Sequence, residues 1–278
     1  MKKGENVLKN YSEHFVAFLD ILGFKSLLNN TGCDDIYSIF EVLHKKTSSR
    51  RNQNGVEIEA YHHIKHTILS DSVIIYIRAD IDDAFASLID ICNQLQSSLA
   101  NREKPILLRG GIVVGELFYE NDIIFGNGLT SAYLLESNLA KYPRIIFTGE
   151  TLKVGFQNTK YMFVDMEGII KPYQEDDDAL YYADYLLPCF WDIDKLIQYY
   201  DRLIDLCDYN LNKAIEDSLR AKYIWLKKKI DKSIKIQSDV SKYFNDREEA
   251  KRAQALQEYN EKFSIYPQQF EIKMVEKQ

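Results

Sequence analysis

Apolar residues fall along this chain in two ways, as short unbroken runs in the first two thirds and at helical spacing afterwards. Phe15-Val16-Ala17-Phe18-Leu19 is a continuous run, followed by Asp20, Ile21, Leu22, Gly23 and Phe24. Runs of this kind read as buried strands, here at about 14–20 with a break at Gly23. Ile36, Ile39, Phe40 and Leu43 recur at helical spacing and predict a helix over roughly 24–48. A turn follows near Asn54-Gly55, then two strands at about 57–69 and 71–78 that meet at Ser70-Asp71. The series Ile81, Phe85, Leu88, Ile89, Cys92, Leu95 and Leu99 predicts a helix over 80–101. Beyond Pro105 the pattern gives a strand at 106–114, a hairpin arm at 115–121, a helix at about 128–140 and a strand at 144–148. Weaker strand signals lie near 161–165, 168–172 and 180–185. From 193 to 245, Leu196, Tyr199, Tyr200, Leu203 and later Tyr223, Ile224 and Leu226 mark two or three long amphipathic helices. The expected organisation is an α+β domain at 12–185 and a helical C-terminal extension, 186–278, packed on it.

Two carboxylates interrupt this apolar pattern at strand ends, Asp20 and Asp71, the latter between Ser70 and Ser72. Either alone has an ordinary explanation: Asp20 as a helix cap before the Gly23 turn, Asp71 as a turn residue. Together they form a donor set suited to divalent cations, because magnesium takes one or two carboxylates and completes its shell with substrate phosphates. A glycine just after the first acid lets backbone N–H groups face an anion. His62, His63 and His66 look like a metal cluster, but on an extended strand the first two face opposite sides.

The net charge of −7 offers nothing global that would recruit nucleic acid or an anionic membrane. A polyanionic substrate must therefore be drawn in locally. Cys33, Cys92, Cys189 and Cys207 are widely spaced with no CxxC pair, which reads as reduced thiols rather than a disulfide framework or zinc site. The opening Met1-Lys2-Lys3-Gly4-Glu5-Asn6 leads into no hydrophobic signal core, and no apolar stretch reaches ~18 residues. The expectation is a cytoplasmic protein without a membrane span.

The ordered set Phe18-Leu19-Asp20-Ile21-Leu22-Gly23-Phe24, Ser70-Asp71-Ser72, Leu108-Arg109-Gly110-Gly111-Ile112, Gly115, Phe125-Gly126 and Ala132 resembles the class III nucleotidyl cyclases. The resemblance covers about residues 14–150. Within that superfamily the chain is most similar to the pyrimidine cyclases of the bacterial Pycsar antiphage system, through these motifs and Ala132-Tyr133, Leu135-Glu136, Ala140, Tyr142-Pro143-Arg144-Ile145 and Lys222 to Leu226. The resemblance implies a ferredoxin-like cyclase core, a homodimer with interfacial sites, and two Mn2+ or Mg2+ ions per site. It implies conversion of UTP or CTP to the 3′,5′-cyclic monophosphate and pyrophosphate, the product being a diffusible antiphage signal read by a separate effector.

Residue by residue, Asp20 and Asp71 match the metal-binding aspartates, and the Ile21 carbonyl matches the backbone ligand. Leu22, Gly23 and Phe24 match the loop that cradles phosphates, and Arg144 matches an arginine used on the triphosphate. The chain also departs from the purine cyclases. Thr67 stands where they carry a base-reading lysine, sharing a strand face with Leu69 and Asp71 by alternation. Their second base-reading acid falls at Ile123, beside Asp122. Their transition-state asparagine and arginine fall near Thr130 and Leu134, which leaves Tyr133, Arg109 or Arg144 to stabilise charge, with Tyr133 and Arg109 taken as the candidates. Arg109, inside a strand, is better suited to a structural ion pair. An inactive nucleotide-binding module and a purine cyclase with an atypical base pocket are the alternatives.

Overall fold

A computed structural model describes residues 9–49, 51, 57–159, 173–188, 192–213 and 216–263. It contains β1 (Ser12–Ile21), α1 (Phe24–Asn30), α2 (Cys33–Thr47), β2 (Lys65–Leu69), β3 (Ser72–Arg78), α3 (Ala84–Ala100) and β4 (Leu108–Glu120). Then come β5 (Ile123–Phe125), α4 (Asn127–Leu139), β6 (Ile145–Phe147), α5 (Gly149–Asn158), β7 (Tyr173–Glu175) and β8 (Tyr181–Ala183). Three helices follow: α6 (Ile193–Lys213), α7 (Asp217–Ile236) and α8 (Ser238–Phe263). One compact unit runs to Ser233 and a second begins at Ile234.

The sheet has the order β2-β3-β1-β4-β6-β8-β7, with β5 paired to β4. β1 lies antiparallel between β3 and β4, and among the described residues only the β4–β6 pairing is parallel. The β1-helix-β2-β3-α3-β4 succession, with β4, β1, β3 and β2 side by side, is the ferredoxin-like split β-α-β arrangement. The fold class is α+β, and helices cover both sheet faces.

Alternation along β1 separates two cores. Phe15, Ala17 and Leu19 join Ile75, Leu88, Leu95 and Ile112 in the large core beneath α3. Val16 joins Ile74, Tyr76, Leu117 and Ala132 in a smaller one beneath α4, with Phe18 packed against it. Burying each large aliphatic or aromatic residue contributes about 1.5–3 kcal/mol, which fixes β1 at the centre of the sheet. The same alternation points Asp20 to the α4 side. α4 comes close because Gly111 has no side chain: a Cβ there would lie 2.9 Å from Ala132 O and 3.0 Å from Glu136 N.

Some expected boundaries shift. Thr31-Gly32 splits the first helix into α1 and α2, Gly32 being extended at φ −71°, ψ 162°. The strand expected from residue 57 is instead a 3-10 turn at Glu59–His63, and β2 starts only at Lys65. α5 was not anticipated; Thr148 caps it by accepting the Thr151 N–H at 3.2 Å. The 115–121 arm continues β4 and closes onto β5 through Asn121 and Asp122, both at positive φ. The Asn54-Gly55 turn and the strands near 161–165 and 168–172 fall outside the described residues.

Tyr199 and Tyr200 of α6 are fully buried, donating hydroxyl hydrogen bonds to the carbonyls of Tyr185 (3.1 Å) and Leu186 (2.6 Å). α7 is tied to the turn between β7 and β8, where Trp225 Nε1 donates to Asp176 at 2.8 Å and Lys229 Nζ at 2.6 Å. Cys33, Cys92 and Cys207 are free thiols, and Cys189 lies outside the described residues. Among the described residues, no helix is long and apolar enough to cross a membrane.

Candidate active site

Asp20 sits one residue from the end of the central strand, opposite Ser72 on one side and Arg109 on the other. Asp71 occupies the Ser70-Asp71 turn between β2 and β3, and its carbonyl accepts the Ile21 N–H at 3.1 Å. The two acids, fifty-one residues apart in sequence, are therefore brought to the same end of the sheet. Ser70 takes a positive φ of 54°, so strand alternation ends at Leu69. The expectation that Thr67, Leu69 and Asp71 share a strand face is corrected here, because Asp71 belongs to the turn.

Arg109 links Asp20 to a third carboxylate, Glu136 of α4. Its Nε donates to Asp20 Oδ2 at 3.0 Å, and Glu136 Oε1 of α4 lies 2.8 Å from the same nitrogen. Nε carries one proton and gives it to Asp20, so Glu136 gains the charge but makes no hydrogen bond through Oε1. Burial raises the Asp20 pKa, the Arg109 hydrogen bond and charge pull it back, and the Asp71 charge pushes it up again. Glu136, only 3% exposed, is raised by burial, lowered by Arg109, and raised by Asp20 and Asp71. Three carboxylates against one guanidinium leave two formal negative charges when all are ionised. That excess, on hard oxygen donors at a strand end, fits divalent Mg2+ or Mn2+. Among the described residues, no group of three or more His, Cys, Asp and Glu side chains forms a metal cage by itself. Ligands for such ions would be Asp20, Asp71 and the Ile21 carbonyl, with substrate oxygens completing the shell. Glu136 was not among the expected site residues; its only sequence signal was its place in the Ala132–Glu136 motif.

The loop after Asp20 is held from below. Leu22 N–H donates to Leu107 O at 2.9 Å, and Gly23 adopts φ 76° with no atom within 4 Å of a would-be Cβ. Gly23 O then accepts from Ser26 and Leu27 to start α1. Phe24 is buried, its ring edge-on to Phe40, so its side chain anchors the loop and only its backbone can face a phosphate.

Other expected residues are more scattered. Tyr133 is half exposed on α4, one turn before Glu136, with its ring edge-on to Phe18 at 5.4 Å. Thr67 lies in edge strand β2, opposite Ile74. Thr130 donates to Gly126 O at 3.4 Å, while Leu134 and Ile123 are exposed. Arg144 is a correction. Its side chain is fully buried, with Nη1 on Asp176, Nη1 and Nη2 on Asp178, and its guanidinium near the Tyr142 and Trp225 rings. It braces the β7–β8 turn against α7, and its complete burial leaves no surface for a triphosphate to reach. The histidine argument also changes: His62 and His63 lie in the 3-10 turn, paired with Glu57 (2.9 Å) and Glu59 (3.6 Å), whereas His66 packs near His44.

No family model matches the sequence, and no curated protein matches it significantly. Solved structures similar in fold include the guanylyl cyclase domain of the RhoGC fusion protein from the aquatic fungus Blastocladiella emersonii, at 15% identity and TM-score 0.46, over 62% of this chain and 95% of that one. The guanylyl cyclase Cya2 aligns at 14% identity and TM-score 0.43, covering 63% and 92%. The adenylate/guanylate cyclase/hydrolase from Silicibacter pomeroyi aligns at 13% identity and TM-score 0.41, covering 63% and 98%. At such identities and TM-scores, these likenesses say nothing of what this chain binds or turns over.

Proposed function

We propose that this protein is a pyrimidine nucleotide cyclase, converting UTP or CTP to the 3′,5′-cyclic monophosphate and pyrophosphate. The observation that carries the reading is the convergence of Asp20 and Asp71, with Glu136 as a third carboxylate against the single Arg109 guanidinium, beside a glycine loop open to solvent. The ribose 3′ hydroxyl releases its proton to water and its oxygen bonds to the α-phosphorus as the bond from that phosphorus to the α–β bridging oxygen breaks, releasing pyrophosphate. Asp20, Asp71 and the Ile21 carbonyl would hold Mn2+ or Mg2+, two ions per site, which would supply positive charge for the 3′ oxyanion and the departing pyrophosphate. Asp20 and Asp71 position that charge, and Arg109 holds the Asp20 carboxylate in place. The Leu22 N–H is held by Leu107 O and fixes the loop, the backbone N–H groups of Gly23 and Phe24 orient phosphates, and Thr67 lines the base side. Tyr133 and Arg109 are the groups assigned to developing charge. No side-chain nucleophile is needed, because alignment and charge stabilisation dominate phosphoryl transfer.

The pyrimidine choice and the role as a cytoplasmic antiphage signal source, read by a separate effector, rest on the motif resemblance. A homodimer with interfacial sites is supported by exposed apolar side chains: Tyr11 against Phe125 and Ile123 at the β4–β5 hairpin, and Tyr133 and Leu134 on α4. A second reading, a nucleotide-binding module without turnover, is favoured by one observation: Thr130 and Leu134 offer no transition-state amide or guanidinium, and Arg109 is already spent on Asp20. Incubating the purified chain with all four ribonucleoside triphosphates and Mn2+, then weighing the products, decides between them. Cyclic UMP or CMP supports the cyclase; cyclic AMP alone contradicts the pyrimidine assignment; no cyclic product favours the binding module.

A further inference from the structure

Behind the Leu22–Gly23 loop, between α1, the Pro105–Leu107 segment and helices α6 and α7, lies a cavity of about 530 Å3. None of Asp20, Asp71, Arg109 or Glu136 lines it. We propose that it is a binding site for a small apolar acid, a singly charged molecule with an aromatic or aliphatic body, whose presence is felt by the adjoining loop.

Size and chemistry carry the argument. The volume falls within the ~300–1,000 Å3 of small-molecule sites, which are mostly apolar with a few placed polar groups. Its walls are apolar over most of their surface, with Leu27, Ile106, Leu107, Leu206 and Leu219 prominent, and polar groups come from Ser26, Asn30, Thr31 and Asn210. Lys222 is the one charged residue lining it and has no ion-pair partner among the described residues. A single cation on an apolar wall matches one negative charge and does not match the several charges of a nucleoside triphosphate. The walls are also pre-set. α7 is pinned by Trp225 and Lys229 to Asp176, and α6 by Tyr199 and Tyr200 to the carbonyls of Tyr185 and Leu186. A cavity held open by hydrogen-bonded helices binds without the cost of ordering its walls.

The cavity reaches the loop directly. Leu22 and Leu107 both line it, and the Leu22 N–H is bonded to Leu107 O at 2.9 Å. A ligand seated there contacts the segment that follows Asp20 and Ile21. This coupling half of the proposal rests on the nucleotide-binding role given to that loop; the binding half does not.

The test uses the full chain and two fluorescent probes of one shape, the anionic 8-anilinonaphthalene-1-sulfonate and its neutral parent N-phenyl-1-naphthylamine. The sulfonate should saturate at one per chain and bind about fivefold more tightly than the neutral probe, the order expected for a half-exposed ion contact. Lys222→Met should erase that preference while leaving neutral binding intact, and Leu206→Trp should abolish both by filling the cavity. Equal binding of the two probes, or an unchanged preference in Lys222→Met, overturns the proposal. So does a signal that appears only when self-associated protein is diluted, which would give the cavity to a second copy. Saturation with the sulfonate should also change UTP affinity more than about threefold; no change removes the coupling. An Asp20→Ala, Asp71→Ala double variant should keep its probe binding, so failure of the cyclase reading and failure of this one are told apart.

Discussion

Replacing Arg144 by methionine should cost folding stability and leave nucleotide affinity alone. The guanidinium is fully buried and meets Asp176, itself buried, and Asp178, which is about half exposed. Removing one partner of a buried ion pair typically costs ~3–5 kcal/mol, most of it from the charge left behind. Here Asp176 keeps Lys229 and the Trp225 N–H, so that part falls to about 2 kcal/mol. The guanidinium also lies 5.3 Å and 5.7 Å from the Tyr142 and Trp225 ring centres, which stack on each other at 2°. Losing those contacts adds about 1 kcal/mol. A total of about 3 kcal/mol corresponds to a Tm lower by roughly 6–12 °C for a unit of this size. Thermal unfolding followed by circular dichroism reads this directly, and UTP titration at a temperature where both proteins are folded supplies the second axis. Asp176→Asn should fall further, because it leaves Arg144 and Lys229 facing one another. An Arg144→Met protein with unchanged Tm and UTP binding weakened tenfold or more would refute this reasoning and return Arg144 to the triphosphate.

Three other outcomes follow from the geometry. Asp184 is pushed up to about 6, by burial first, against the opposing pull of the Leu186 N–H, Gln174, Lys232 and Lys229. A raised carboxyl favours the folded state while protonated, so its contribution is complete below the ordinary 3.8 and is lost as pH rises through about 6. Asp184→Asn should therefore flatten the fall in denaturant-measured stability between those pH values. Gly111→Ala should cost about 1–3 kcal/mol and lower turnover together, since a Cβ 2.9 Å from Ala132 O forces α4 and Glu136 away from Arg109; unchanged Tm and activity would mean that the close approach is not needed. Glu136→Gln, which keeps the shape and removes a negative charge, should weaken Mn2+ binding measured by calorimetry by several-fold; tighter binding would contradict its place in the electrostatics of the site.

Much of the sheet was legible because its signals are local. Phe15–Leu19 and Val73–Ile77 are long apolar runs, and the break at Gly23 announces itself. The pairing of Asp20 with Asp71 was readable as two acids at strand ends, though only the β1–β3 register brings them side by side. The 3-10 turn was misread as strand, yet Ile58, Tyr61 and Ile64 recur every third residue, its natural period. α5 escaped because its ten residues bury little beyond Leu152, and its start depends on the Thr148 cap. Glu136 and Arg144 were beyond local reading. The first matters only because a glycine on another strand admits its helix, and the second is buried by acids about thirty residues downstream.

The central claim is that Asp20 and Asp71 act as one cation-holding pair. Its most direct test compares cyclic nucleotide formation from UTP and CTP by the wild-type chain, Asp20→Ala and Asp71→Ala, each shown folded by circular dichroism and supplied with saturating Mn2+. Loss of several kcal/mol of transition-state stabilisation predicts that each single variant falls about a thousandfold or more, with the double variant hardly worse than either. Turnover by either single variant within a few-fold of wild type would contradict the account.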